Sequence, residues 1–506
     1  MKKLVTLLLA AGLVVSAANG ASAVELRVSG TLDFAFEGYN NINGAYSFLD
    51  NEDFLRNTGT RGNNKHFDAV QRMRLGLEFI MSENLSGYYE AQVGTFTWGG
   101  PSRGLTGGQG GNLNENLGGA LGSRAANIVT RQVYLDWMIP NTDIKIRMGQ
   151  QLYRLPSYAT ASPVLDDTAT GVTAYVPFND KTALSAYWIR ALSDPRRGAD
   201  SSIGNATNGN FDLLGLNLNL QYDGFEITPW GAVGFLGNDA DLIQGGASVF
   251  SGLLPVTGYD RVYWDGDRLN AYRDATKSTV WFGGIGGQMV RFDPFRLAVD
   301  FYYSGTDNKH SVTSRQGWFV AASADYRTPY GVPTLKGWYA SGDDGNPTNG
   351  SERPLSLSGA FNPGASIYFH GRYGIANTIN NGDAGGTWGL SAQWNNLSLV
   401  EDLFHSLRVT YFQGTNNKNM PRLLNRGFVP GLDETRVSPA TYLTTKDHVI
   451  EVDFDTTYSI YKNLATVLEL GYAFQNFDDD VWRLADGSKA DYSNAWRAAL
   501  NFRYTF

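Results

Sequence analysis

The chain ends on "ALNFRYTF", residues 499–506, and the reading of these eight residues decides the fold. Along a strand, successive side chains point to opposite faces. Leu500, Phe502, Tyr504 and Phe506 therefore share one face, and Asn501, Arg503 and Thr505 share the other. An apolar, aromatic face with no polar tail behind it needs a cover, which is either another layer of protein or lipid.

The rest of the sequence identifies the cover. Lys2 and Lys3 precede the apolar run Leu4 to Val15, and "ASA" follows at Ala21 to Ala23. That order of charge, apolar core and small residues is the pattern of a secretory signal peptide, so residues 1–23 are expected to be removed and residues 24–506 to form one domain. No later stretch holds eighteen consecutive apolar residues, which excludes a membrane-spanning helix. With no cysteine, disulfides cannot supply stability. The net charge of −8 argues against a nucleic-acid partner. The 59 glycines, 27 Tyr, 27 Phe and 12 Trp without long apolar runs suit strands that are apolar on one face only.

The period-2 pattern recurs along the whole chain. In the first segment Leu26, Val28, Leu32, Phe34 and Phe36 alternate with Arg27, Ser29, Thr31, Asp33 and Ala35. In the second, Met73, Leu75, Leu77 and Phe79 stand against Arg72, Arg74, Gly76 and Glu78. Eighteen such segments can be counted, with sixteen as the alternative. Their connections alternate between short turns, such as "PNTD" at 140–143 and "YKN" at 461–463, and long polar loops, such as 236–278 and 342–386. This is the plan of an all-β, antiparallel, up-and-down transmembrane barrel with one plain rim and one elaborate rim, closed by pairing its last strand with its first. Lipid then covers the aromatic face of Phe502, Tyr504 and Phe506, the barrel-closing terminus.

The ending also resembles the C-terminal signal of Gram-negative outer-membrane barrels. The stretch "IKIRMGQQLYRLPS" (144–157), followed by "SPVLDD" and "GVTAYVPF", resembles a strand, third loop and strand of trimeric general porins. "IEVDFDTTYSIYKNLATVLELGYAF" (450–474) and the closing "FRYTF" resemble the last hairpin of the homotrimeric porins of sulfate-reducing bacteria. The resemblance implies passive diffusion of small hydrophilic solutes and ions through three separate pores of a homotrimer. It places the protein in the cell outer membrane, in contact with lipid, lipopolysaccharide and the barrel-assembly machinery. The third loop, Arg154 to Thr168, is short for such porins, which leaves open whether it narrows the pore alone.

A barrel of sixteen to eighteen strands is wide enough for a water-filled lumen. By parity that lumen receives Arg72, Arg74, Glu78, Lys145, Arg147, Arg296, Asp300, Glu451, Asp453, Asp455, Glu469, Arg497 and Arg503. Facing lipid, an Arg or Lys at the midplane would cost about 2–4 kcal/mol. Arg74 and Arg147 stand at similar heights, about 15 to 20 Å apart along the wall, with Arg72 and Lys145 a step away. These four are expected to form one basic strip, with Asp166 and Asp167 of the third loop as its acidic counterpart. Such a strip would focus the field in the water column and set ion preference.

Two further readings follow from parity. Tyr134, Tyr175, Trp230, Tyr302, Trp338 and Phe412 are candidates for an aromatic rail, as a sugar-specific channel would use. The loop from Gly99 to Ala126, with ten glycines among 28 residues, is a candidate latch onto a neighbouring subunit or a lid. No catalytic, cofactor or metal motif is expected: the five histidines are scattered, and Asp447 and His448, though adjacent, point to opposite faces of a strand. The acidic pairs at Asp343–Asp344 and Asp478–Asp480 have no twelve-residue calcium-loop pattern.

Overall fold

The structure, a computed structural model, describes residues 24–42, 65–99, 121, 128–193, 210–237, 261–264, 269–272, 278–307, 314–346, 349–369, 378–379, 383–421, 439, 442–482 and 493–506. Residues 1–23, expected as an export signal, and nearly all of the glycine-rich loop lie outside the described residues. The first nine strands are β1 (Glu25–Asn40), β2 (Lys65–Ser82), β3 (Leu85–Thr97), β4 (Ile128–Met138), β5 (Lys145–Arg154), β6 (Asp166–Asn179), β7 (Thr182–Ser193), β8 (Asn210–Tyr222) and β9 (Phe225–Leu236). A small separate hairpin, β10 (Arg261–Trp264) with β11 (Leu269–Tyr272), sits in the loop that follows. Then come β12 (Ser278–Met289), β13 (Phe295–Asp307), β14 (Gln316–Tyr326), β15 (Val332–Ala340), β16 (Thr387–Val400), β17 (Leu403–Gly414), β18 (His448–Tyr461), β19 (Leu464–Asn476) and β20 (Ala495–Thr505).

All but the hairpin join one eighteen-stranded antiparallel sheet in which every strand pairs with its sequence neighbour, β9 pairing with β12 across the hairpin. The sheet closes where β20 pairs with β1 from Thr31↔Thr505 to Asn40↔Trp496. Gly30 N–H donates to Phe506 O at 2.9 Å and Phe506 N–H donates back to Gly30 O at 3.0 Å. The expected up-and-down barrel is thus found, with eighteen strands rather than sixteen, and closure leaves no open edge.

The outer face follows the alternation. Leu500, Tyr504 and Phe506 are exposed on it, and Phe502 packs edge-on against Phe36 of β1, ring centroids 6.4 Å apart. Exposed aromatics gather in two belts. Trp188, Phe235, Tyr303, Trp318, Tyr339 and Trp496 lie towards the long loops, and Trp137, Phe295, Tyr326, Trp394, Tyr458 and Tyr504 towards the short turns. Paired aromatic girdles around an apolar band are what two membrane–water interfaces select. Among the described residues no helix is long and apolar enough to cross a membrane, so any crossing is by strands.

The core lies inside the barrel. Two long-rim connections fold into the lumen: the β5–β6 loop, residues 155–165, and the described part of the β15–β16 loop, residues 341–346, 349–369, 378–379 and 383–386. Leu355, Phe361, Ile367, Tyr368 and Phe369 of the second are at most 1% exposed. They pack on wall residues Phe319, Trp338 and Phe412, with Phe361 edge-on to Phe319 at 5.7 Å and Tyr368 to Phe412 at 4.8 Å. Apolar side chains in an otherwise polar loop give it a reason to fold inward rather than remain in water.

Candidate functional site

The two inward loops are joined to each other. Asp166 N–H donates to Ser358 O at 2.8 Å, Leu357 N–H to Val164 O at 2.9 Å and Ala360 N–H to Ser162 O at 2.8 Å. The short third loop therefore does narrow the lumen, but as one half of a pair whose larger half, residues 341–386, sequence reading left as an undifferentiated external loop.

Wall carboxylates hold both halves. Asp300 on β13 accepts from Ser157 Oγ at 2.9 Å and from the N–H groups of Tyr158 and Ala159, each at 2.7 Å. Because that loop starts on β5, these bonds carry it across the barrel to β13, and the Tyr158 hydroxyl meets Thr228 of β9 at 2.7 Å. Glu451 on β18 accepts from Ile367 N–H at 2.6 Å and Tyr368 N–H at 3.2 Å, and Asp453 accepts from the Ser366 hydroxyl. Parity had placed Asp300, Glu451 and Asp453 in the lumen. Their task, to satisfy loop N–H groups that would otherwise be buried without partners, could not be read from parity.

The residues expected to form the basic strip are, with one exception, paired locally. Asp33 on β1, 1% exposed, bonds Arg72 at 3.1 Å and Arg503 at 2.5 Å. Asp136 on β4 holds Arg147 by two bonds of 2.6 and 2.8 Å and Lys145 at 2.7 Å. Glu90 on β3 pairs with Arg131 at 3.1 Å, while Arg74 meets only a neutral partner, the Gln92 amide, at 3.1 Å. Arg147 also lies over the Tyr134 ring, 3.9 Å from its centroid. Five cations along β20 and β1 to β5 thus share Asp33, Glu90 and Asp136, Arg74 is left without a carboxylate among the described residues, and Glu37 and Glu78 stand on the same lumen face.

Asp166 and Asp167 begin strand β6 rather than lying in the loop, so they point to opposite faces. Asp166 pairs with exposed Arg154 at 2.8 Å, and Asp167 accepts from Ser358 Oγ at 2.8 Å. What faces the lumen on β13 to β18 is a second, mixed group of charges. Arg296 bonds Asp325 at 2.7 Å and Tyr158 O at 2.7 Å, and Arg408 bonds Asp455 at 2.7 Å and Gly364 O at 2.9 Å. Lys336 stands between them without an ion pair among the described residues. Together with Tyr158, Asn362 and Gln393 these cations line a cavity of 580 Å³.

The six rail candidates divide. Trp230, Tyr302, Trp338 and Phe412 are 8%, 3%, 4% and 0% exposed, so they pack beneath the inward loops and cannot guide a solute. Tyr134 and Tyr175 remain on the lumen surface. Asp447 is a loop staple, not half of a dyad: it accepts from Thr444 N–H at 2.8 Å, Asp478 N–H at 2.9 Å and Trp482 Nε1 at 3.0 Å. Burial pushes its carboxyl up against these donors, and likewise pushes up the Tyr442 phenol beside Asp343. No cluster of three metal-ligating side chains occurs among the described residues.

No family model matches this chain, and no curated protein matches it. Solved structures do. OpdL of Pseudomonas aeruginosa aligns over 95% of this chain and 99% of its own at 9% identity with a TM-score of 0.49. OccAB4 of Acinetobacter baumannii aligns over 95% and 98% at 10% identity with a TM-score of 0.49. OccK11 (OpdR) of Pseudomonas aeruginosa aligns over 95% and 96% at 12% identity with a TM-score of 0.48. At that similarity these neighbours say nothing about what passes through this chain.

Proposed function

We propose that this protein is an outer-membrane porin of a Gram-negative bacterium, a water-filled channel for passive diffusion of small hydrophilic solutes and ions. The observation that carries the reading is a closed eighteen-stranded barrel whose outer face is apolar and aromatic and whose lumen is polar, charged and only partly filled. Such a wall is stable in lipid and its interior conducts. Arg74 and Lys336, which have no carboxylate partner among the described residues, favour anions at two points of the lumen. Residues 1–23 serve as the export signal and residues 24–506 as the barrel.

The kinship with homotrimeric porins of sulfate-reducing bacteria rests on the resemblance of residues 450–474 and 502–506, and the trimer of separate pores on that together with the likeness of residues 144–157, 162–167 and 171–178 to trimeric general porins. A substrate-selective channel is favoured by one specific observation: two loops, not one, are bonded to each other and to the wall, which fixes the shape of the constriction. Reconstitution into planar bilayers separates the readings. Ohmic conductance insensitive to neutral solutes other than through viscosity supports general diffusion, and saturable inhibition by one solute class supports selectivity. Absence of any conductance refutes both.

A further inference from the structure

Beneath the third loop, on the side of the short turns, the wall of β5 to β8 encloses a second cavity of 280 Å³. Leu155 and Leu165, 1% and 7% exposed and joined by a 3.0 Å backbone bond, roof it. Two phenols form its inner wall, Tyr153 of β5 and Tyr187 of β7, their rings 6.0 Å apart. They are only 6% and 8% exposed, and among the described residues neither hydroxyl completes a well-formed hydrogen bond, Thr173 and Gln151 being the polar neighbours that approach the Tyr153 hydroxyl. Thr173 and Gln151, the polar side chains beside Tyr153, bond each other at 3.3 Å. The Asn217 side-chain oxygen on β8 is a third buried polar atom without a partner lining the same space.

Three polar atoms without a well-formed partner among the described residues gather in one lumen cavity, where water or a solute hydroxyl must meet them. The positions of the rings are built in. Gly215 stands opposite Tyr187 in the register and Gly171 stands under the Tyr153 hydroxyl, and a Cβ at either glycine would overlap the phenol. Exposed Tyr175 presents a further ring face at the mouth. The nearby cations Arg147 and Lys145 are engaged by Asp136. The unmet capacity is therefore hydroxyl and amide beside aromatic faces, which is the complement of a compact polyol with hydroxyls at its edge and C–H groups on its faces.

We propose that this cavity is a binding subsite for a neutral polyhydroxylated solute of monosaccharide size, met on the inner side of the constriction. The proposal rests on the channel reading and deepens it by naming a solute class. It is tested with the full-length barrel in planar bilayers, titrating D-glucose from the short-turn side, with a polyethylene glycol of similar size as the viscosity control. Wild-type current should fall saturably with D-glucose and only linearly with the polymer. Tyr153→Phe with Tyr187→Phe keeps the rings and removes the hydroxyls, so half-inhibition, read relative to the variant's own glucose-free current, should require about tenfold more D-glucose. Should the double variant not assemble, either single variant should show about a threefold change. Calorimetric titration of the detergent-solubilised protein with D-glucose reads the same differences without needing a current. A glucose effect no different from the polymer's, no heat of binding, or equal half-inhibition in wild type and variant would overturn the subsite. Absence of current with glucose binding intact would sink the channel reading alone.

Discussion

At the scale of single residues, the lumen charges divide into those that hold the wall together and those free to act on the water column. Asp33 is almost wholly buried between Arg72 and Arg503. Arg72→Met leaves that carboxylate with one partner in place of two, and breaking a buried pair costs about 3–5 kcal/mol, an upper bound here because Arg503 remains. Urea titration of the barrel in lipid vesicles should show a clearly lower midpoint, whereas Arg154→Met, at an exposed pair, should leave it nearly unchanged. Arg74 and Lys336, by contrast, have no carboxylate partner among the described residues to lose. Arg74→Glu combined with Lys336→Glu should move the zero-current potential in a salt gradient towards cation preference without loss of assembly. Equal shifts from two charge reversals in the outer loops would show that the lumen cations are solvated wall only.

At the scale of elements, strand identity was legible because burial on a barrel wall is strictly two-sided. Each strand is bare to an apolar surround on one face and to the lumen on the other, so period 2 survives along β13, where exposed Leu297, Val299 and Phe301 alternate with buried Ala298, Asp300 and Tyr302. Loops obey no such period, and the reading fell short there. Asp166 and Asp167 were read as loop because β6 extends beyond its apolar alternation. The burial of Trp338 and Phe412 follows from the inward loop, which parity cannot place. A signal was available in residues 355–369, where Leu355, Leu357, Phe361, Ile367 and Phe369 are too apolar for a solvated loop. The carboxylate staples make the constriction breakable by a small change. Asp300→Asn keeps the size but loses the charge that accepts from Ser157, Tyr158 and Ala159. Hydrogen bonds to charged groups contribute roughly 1.5–3 kcal/mol each, so the third loop should loosen. Vesicle-swelling assays should then admit larger neutral solutes, and an unchanged size limit would mean that the bonds to residues 356–360 hold the loop without Asp300.

At the scale of the whole molecule, closure and permeation are linked, since the lumen exists only if β20 seals against β1. Deleting Phe506 removes both backbone bonds to Gly30 and the ring that stacks on Tyr504. The yield of the folded, heat-modifiable barrel should fall severalfold on gels of unheated samples, and a normal yield would deny the terminus its closing role. The central claim, however, is that water and ions cross through the lumen past Arg74 and Lys336, cations that no carboxylate pairs among the described residues. Its most direct test is the current–voltage relation of the reconstituted wild-type protein in planar bilayers under a tenfold potassium chloride gradient. Discrete conductance steps, with a zero-current potential displaced towards the chloride equilibrium value, are the predicted result. No steps, or a displacement towards the potassium value, would contradict it.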